Sequence, residues 1–299
     1  MTESILRFGQ IMLQKDPRNY QILFLCLFLV LGIGTRDWTL RPDLIIVLFL
    51  TCILTQWIAI SIVTSRQENG IPTETELSNL STYKLSSLKS ALITALGLTI
   101  LLRADHYSTM ILAGSLAILS KFLWQVEKKH FFNPANFGII AALILTPDAW
   151  VSPGQWGDDS WYAVLFLATG GMVVNRVGRW DTTAAFLGSY ALLETIRNLW
   201  LGWTWDVLNH RLMNGSLLLF AFFMITDPRS IPDHKNSRIF WAVSIAVLTF
   251  ILRNQFFVST AVFWALFCLA PLSILFDYFW SAPRFDWLSN SKEQSLVKS

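Results

Sequence analysis

The stretch Lys128-Lys129-His130-Phe131-Phe132-Asn133-Pro134-Ala135-Asn136-Phe137-Gly138, continuing through Ile139–Leu145 to Thr146-Pro147-Asp148, decides how this chain is read. A basic triplet meets a phenylalanine pair, an Asn-Pro break opens an apolar run, and a Thr-Pro-Asp break closes it. From Phe137 to Leu145 the run falls well short of the ~20 residues with which a helix crosses a bilayer. A short, interrupted helix inside a membrane protein is where irregular backbone can line a buried site.

The rest of the sequence makes the membrane the relevant solvent. Of 299 residues, 54% are hydrophobic and 14% charged, which excludes an ordinary soluble domain. Fourteen Trp and 22 Phe suit membrane interfaces and contacts between packed helices. A net charge of +3 with no dense basic cluster gives no nucleic-acid partner. Cys26, Cys52 and Cys268 sit in apolar runs without Cys-x-x-Cys spacing or a nearby His. They are expected to be buried small hydrophobes, and no disulfide, iron–sulfur or metal site is expected. A polar lead precedes the first apolar run and no small-x-small site follows it, so no cleaved signal peptide is expected.

Ten membrane segments are expected: 20–35, 43–64, 86–103, 107–126, 133–146, 160–177, 182–201, 210–226, 238–253 and 257–279. The fifth and eighth are short or interrupted. Residues 65–85 read as a long polar loop. The organisation is then a cytoplasmic segment 1–19, a first five-helix half 20–146, a non-cytoplasmic loop 147–159, a second half 160–280 and a polar cytoplasmic tail 281–299. Residues 1–19 suit a short interfacial helix and a loose tail equally well. Lys and Arg set the orientation. Arg36, Arg41, Arg103, Arg197, Arg211 and Arg253 belong to the odd-numbered loops, and the other 17 of the 23 basic residues belong to the ends and even-numbered loops. Both termini are therefore expected in the cytoplasm.

The fifth and eighth segments share a grammar. One has Asn136-Phe137-Gly138, an apolar run and Thr146-Pro147-Asp148; the other has Asn214-Gly215-Ser216, Leu217–Ile225 and Thr226-Asp227-Pro228. They stand fifth and third in their halves. Their likeness is therefore compatible both with two broken helices at one site and with convergence on helix-break chemistry.

Asn133 is expected to cap a helix whose first residue is Pro134. Such an N-terminus suits a phosphate, a carboxylate, or a quinone or isoalloxazine carbonyl. It equally suits an ordinary capped start beside basic interface anchors. Asp227 at a helix C-terminus opposes the macrodipole, so Arg229, a cation or the amides of a following turn must favour it. Glu194 and Arg197, at i,i+3, are placed to pair. Lys121, near a helix end, is expected to snorkel towards water. Gly170-Gly171 and Asn175-Arg176 mark close helix packing. The sequence has no glycine-rich phosphate loop, dinucleotide fingerprint, His-Glu-x-x-His or Gly-x-Ser-x-Gly. No catalytic residue is assigned.

Two of these motifs carry a resemblance. Lys129-His130-Phe131-Phe132-Asn133-Pro134-Ala135 and, some eighty residues later, Phe222-Phe223-Met224-Ile225-Thr226-Asp227-Pro228 resemble signatures of the NqrB/RnfD family, and the likeness spans roughly residues 20–280. That family supplies membrane subunits of sodium-pumping NADH:quinone oxidoreductase and of Rnf complexes. The resemblance implies an all-α, multi-pass bundle in two five-helix halves, related as a urea-channel-like inverted repeat. It implies location in a bacterial inner or internal membrane, with other membrane or flavoprotein electron-transfer subunits as partners. It also implies ion transport linked to electron flow. The site it points to is Lys129, His130, Asn133, Pro134, Asn136, Gly138, Asn214, Thr226 and Asp227. Flavin-carrying members attach FMN to a Thr shortly after the Asn-Pro segment. Residues 147–159 contain no Thr, so covalent attachment is not expected, and a noncovalent flavin (FMN or riboflavin) or quinone is. Ser259-Thr260-Ala261-Val262 resembles the attachment motif only superficially and lies in the tenth segment. The other reading is a channel or carrier for a small polar solute or cation without redox chemistry; a scaffold role in a larger membrane assembly is a third.

Overall fold

The computed structural model describes residues 16–35, 39–67, 74–152 and 160–285. The interfacial-helix reading of residues 1–15, the middle of the non-cytoplasmic loop and the tail from 286 onward lie outside the described residues. Within them the helices are α1 (Pro17–Thr35), α2 (Pro42–Gln67), α3 (Glu74–Leu101), α4 (Tyr107–Leu123), α5 (Pro134–Leu145), α6 (Ser160–Val177), α7 (Trp180–Trp200), α8 (Trp205–Leu212), α9 (Gly215–Leu219), α10 (Lys235–Asn254), α11 (Ala261–Leu269) and α12 (Leu272–Phe279). One turn of π-helix, Phe220–Met224, continues α9. Pro17–Gly34, Pro42–Ser65 and Lys235–Asn254 are long and apolar enough to cross a membrane, and the bent pair α11–α12 is a fourth if it counts as one span.

The mostly helical architecture agrees with the sequence, with local corrections. The chain is not purely α: β1 (Leu102–Arg103) pairs antiparallel with β4 (Trp150–Val151), and β2 (Gln125–Val126) with β3 (Lys129–His130). The expected polar loop 65–85 is helical at 65–67 and 74–85. The fourth segment stops at Leu123 and turns into the β2–β3 hairpin. Its two central residues, Glu127 and Lys128, have φ of 49° and 67°, as a tight primed hairpin turn demands. The tenth segment bends by 45° between α11 and α12. Pro271 interrupts the helix there, and the Leu269 carbonyl accepts from Trp241 Nε1 at 2.8 Å.

The chain divides into two compact units, Leu25–Trp156 on one side and Gly157 onward with the residues up to Phe24 on the other. In the first, α2 packs on α3 and α4, and α4 packs on α5. Small residues let these helices approach. A Cβ on Gly138 of α5 would stand 2.7 Å from the Ala113 carbonyl oxygen and 2.8 Å from the Ala117 Cβ. In the second unit, α7 packs on α10 and α10 on α11, while α6 packs on α9 and the π-turn. Gly170 of α6 is the close approach, its absent Cβ lying 2.5 Å from the Phe222 ring, whereas Gly171 meets nothing. Arg176 stacks on the Tyr20 ring at 4.6 Å.

Candidate functional site

The residues singled out in the sequence fall into two groups, one in each unit. In the first, Asn133 caps α5 as expected: its side chain accepts from the Asn136 amide at 3.0 Å, and its carbonyl accepts from the Phe137 amide at 2.9 Å. Pro134, the first helical residue, has no N–H to satisfy. Ala135 therefore carries the one amide of this first turn not used in capping, and it is buried at 8% exposure. Upstream, His130 is buried and Lys129 partly exposed on β3, which the hairpin holds against Gln125 and Val126. Phe132 meets Phe131 at 4.7 Å and Phe137 at 5.1 Å, and Trp124 lies edge-on to Phe131 and Phe132 at 6.5 and 6.3 Å. The residues leading into α5 thus include a cluster of aromatic rings and, on β3, Lys129 and His130. Gly138 is fixed by packing on α4, and Asn136 is almost fully buried.

In the second unit, Asn214 caps α9 by accepting from the Ser216 and Leu217 amides at 3.0 and 3.3 Å. The π-turn that follows closes with Ile225 N–H donating to the Phe220 carbonyl at 2.9 Å. Widening a helix this way displaces carbonyls from the regular ladder, and side chains take them up. Thr183 donates to Ala221 O at 2.8 Å, Thr226 to Phe222 O at 2.7 Å and Gln21 to Phe223 O at 3.4 Å. Thr226 thus closes its helix as Thr146 closes α5, where the hydroxyl donates to Ala142 O at 2.8 Å. Asp227 accepts from the Arg229 amide at 3.2 Å. Of the three partners considered for it, the amide of a following turn is present.

The two aspartates after these helices are used differently. Asp148 accepts from the amides of Asp105 and His106 and from His106 Nδ1, each at 3.0 Å, and from Thr109 Oγ1 at 2.6 Å. It ties the end of α5 to the start of α4. Partial burial works against the charged form, but these donors outweigh it and hold the carboxyl well below the usual carboxylate range.

Three expectations about polar residues need correction. Glu194 does not pair with Arg197. It is 1% exposed, accepts from Arg211 at 2.9 Å and from Asn254 Nδ2 at 2.9 Å, while Arg197 stacks on Trp203 at 4.6 Å. The short helix α8, absent from the sequence reading, brings Arg211 there. Lys121 does not snorkel. It is buried, with Nζ 3.1 Å from Ser90 Oγ and 3.3 Å from Gln56 Oε1, because polar groups on α2 and α3 stand within its reach. Cys52 is buried as expected, but Cys26 is only half-buried and Cys268 is exposed. A shallow pocket lined by Thr39, Arg41, Thr99 and Arg103 holds none of the motif residues.

Comparison with known proteins bears on these motifs unequally. The model of the NQR2, RnfD, RnfE family matches residues 151–286, which include Phe222–Pro228 but not the Asn133 segment. Three relatives are described as the D subunit of an ion-translocating oxidoreductase complex. The Halorhodospira halophila protein is 29% identical over 135 residues, 44% of this chain and 37% of its own length. The Vibrio vulnificus (strain YJ016) protein is 34% identical over 97 residues, 31% of this chain and 27% of its own. The Pseudomonas paraeruginosa protein is 26% identical over 223 residues, 55% of this chain and 65% of its own. The chain thus spans less than two thirds of each of these relatives. Over residues 151–286 the chain is similar to the NQR2, RnfD, RnfE family, and it is distantly similar to the D subunits of ion-translocating oxidoreductase complexes.

Proposed function

We propose that this protein is an integral membrane subunit of an Rnf/Nqr-like electron transport system, working with other membrane or flavoprotein subunits and linked to transmembrane ion transport. It binds a noncovalent flavin or quinone at the entrance of α5. In this reading the chain crosses a bacterial membrane ten times in two five-helix halves of inverted repeat, with both termini in the cytoplasm. The family likeness over residues 151–286 and the description of the relatives support the subunit role.

The observation that carries the cofactor reading is the occupancy of the α5 start. Asn133 accepts from two of the entrance amides and Pro134 has none, which leaves the Ala135 amide on a helix start that also carries the ring cluster of Trp124, Phe131, Phe132 and Phe137. One donor on a helix start that carries aromatic rings matches a carbonyl on a planar ring. It matches a phosphate poorly, since a phosphate calls for several convergent amides. When bound, a flavin or quinone supplies one- or two-electron redox chemistry. This chain's own residues orient the ring: Ala135 donates to a ring carbonyl, the aromatic side chains exclude water, and Lys129 and His130 hold positive charge or a proton near developing negative charge. The lack of Thr in 147–159 argues for noncovalent attachment.

The test is an absorption scan of the protein purified in mild detergent, followed by titration with FMN and a short-chain quinone. Copurified chromophore or saturable binding supports the proposal. If neither copurifies or binds, the cofactor reading fails. Solute or cation flux through proteoliposomes of this chain alone, without any redox ligand, would favour the channel. In-gel fluorescence after denaturation should show no flavin band.

A further inference from the structure

The end of the second unit where α7 and α10 both stop concentrates basic and aromatic residues that neither family motif uses. Arg197 lies in the last turn of α7, Arg253 in the last turn of α10, and Arg211 at the end of α8. Glu194 and Asn254, joined at 2.9 Å, hold these ends together. Arg211 NH1 reaches Glu194 Oε2 at 2.9 Å and Asn254 Oδ1 at 2.8 Å. Arg253 reaches Tyr190 Oη at 3.3 Å. Arg197 and Arg211 both lie over the Trp203 ring, at 4.6 and 5.4 Å. The acids that face this group are Glu194, consumed by Arg211, and Asp206, exposed on α8. The helix C-termini favour cations here, and Arg197 and Arg253, each half-buried, have an aromatic ring and a phenol for neighbours, with Arg197 NH1 buried and lacking a hydrogen-bond partner.

Around them stands an apolar rim. Trp200 is 87% exposed and Phe257 84%, with Phe256, Trp205 and Leu199 also projecting outward. Phe257 has a φ of 56°, a left-handed conformation unfavourable for a bulky side chain. The chain keeps a large apolar ring outside the protein at a conformational cost, which fits an environment that rewards its exposure. Water does not; the boundary between lipid tails and headgroups does. Arginines among interfacial aromatics at that depth meet the phosphodiester of a phospholipid, and a guanidinium is matched to phosphate oxygens.

We propose that the α7–α10 end, with Arg197 and Arg253 as its anion-binding groups and Trp200, Phe256 and Phe257 as its membrane-inserted rim, is a binding site for the phosphate headgroup of an anionic phospholipid. This rests on the membrane reading of the chain and is independent of any flavin or quinone. Arg211, committed to Glu194, positions α8 and is not a ligand group.

The test uses the full chain in detergent, with native mass spectrometry to count bound phosphatidylglycerol, phosphatidylcholine and diacylglycerol, and inorganic phosphate as competitor. The wild type should retain phosphatidylglycerol in preference to phosphatidylcholine and not retain diacylglycerol, and phosphate should not displace the lipid. Arg197→Gln with Arg253→Gln should weaken phosphatidylglycerol binding by about thirtyfold. Phe256→Ser with Phe257→Ser, at exposed positions where folding is not at stake, should weaken all phospholipids together. Should the arginine variant fail to fold, the phenylalanine variant decides. Unchanged binding in a folded variant of either kind, or displacement by inorganic phosphate, would overturn the site.

Discussion

The two compact units follow one plan with different chemistry. In each, one long helix opens with Arg-x-Asp: Arg41-Pro42-Asp43 in α2 and Arg179-Trp180-Asp181 in α7. In each, that Asp is held by the start of the helix packed against it, Tyr107 Oη of α4 on Asp43 at 2.7 Å and Arg238 of α10 on Asp181 at 2.7 Å. Thirteen residues further on, α2 and α7 each present a polar side chain to the other end of that partner, Gln56 to Lys121 and Glu194 to Asn254. The same two clasps, one at each end of a parallel helix pair, occur in both. What differs is burial. The Asp43 side chain is 42% exposed, and that of Asp181 is 5% exposed. Arg179 is drawn into the buried clasp, where burial first and the neighbouring Arg238 second pull its pKa down to about 10. The comparison teaches that a repeated backbone plan does not repeat its energetics, because the dielectric around the same contact decides its worth.

The largest expected effect follows from that contrast. Asp181→Ala leaves Arg238 buried and should destabilise the protein by ~3–5 kcal/mol, whereas Asp43→Ala removes an exposed contact and should leave the unfolding midpoint nearly unchanged. Thermal unfolding of both variants in the same detergent measures this, and equal losses would break the comparison.

The glycines come next. Gly138→Ala and Gly170→Ala each force a Cβ into a neighbour and should cost ~1–3 kcal/mol by overpacking; Gly171→Ala, facing open space, should be silent in the same assay. A smaller gain is expected at the β2–β3 hairpin, which has no counterpart among the described residues of the second unit. Lys128→Gly relieves a left-handed lysine and should stabilise the first unit by about 1 kcal/mol, read as a rise in its unfolding midpoint.

The smallest effect is in pH. Asp148 has a depressed carboxyl, so its contribution is fully present above its unfolded value near ~4. It is lost as pH falls from there towards the lower folded value. Asp148→Asn should therefore flatten the acid side of a stability–pH profile below pH ~4 and leave the alkaline side unchanged. An acid side as steep as wild type would place the titrating group elsewhere.

Much of this could be read from residue order alone. Asn133, Pro134 and Thr146 announce the ends of α5 because capping, a missing N–H and a back-bonding hydroxyl are local chemistry. Asn214 and Thr226 do the same for the π-widened helix. The partners of Glu194 and Lys121 could not be read, since they come from residues 17 to 65 positions away, and i,i+3 spacing sees only its own helix. The Arg-x-Asp repeat was visible in the sequence but meant nothing until Tyr107 and Arg238 stood opposite it. It also bears on the likeness between the fifth and eighth segments. Aligning α2 with α7 and α4 with α10 sets α5 opposite α11, whose N-terminus has no side-chain cap.

The most direct measurement of the central claim is an FMN and short-chain quinone titration of the purified chain, wild type against Lys129→Gln with His130→Gln. These substitutions leave the Asn133 cap intact, so a folded variant isolates the charge at the α5 entrance. Saturable binding of one of the two ligands is expected, with a loss of about tenfold in affinity for the variant. Absence of binding by the wild type, or equal affinity in both proteins, would contradict the cofactor reading.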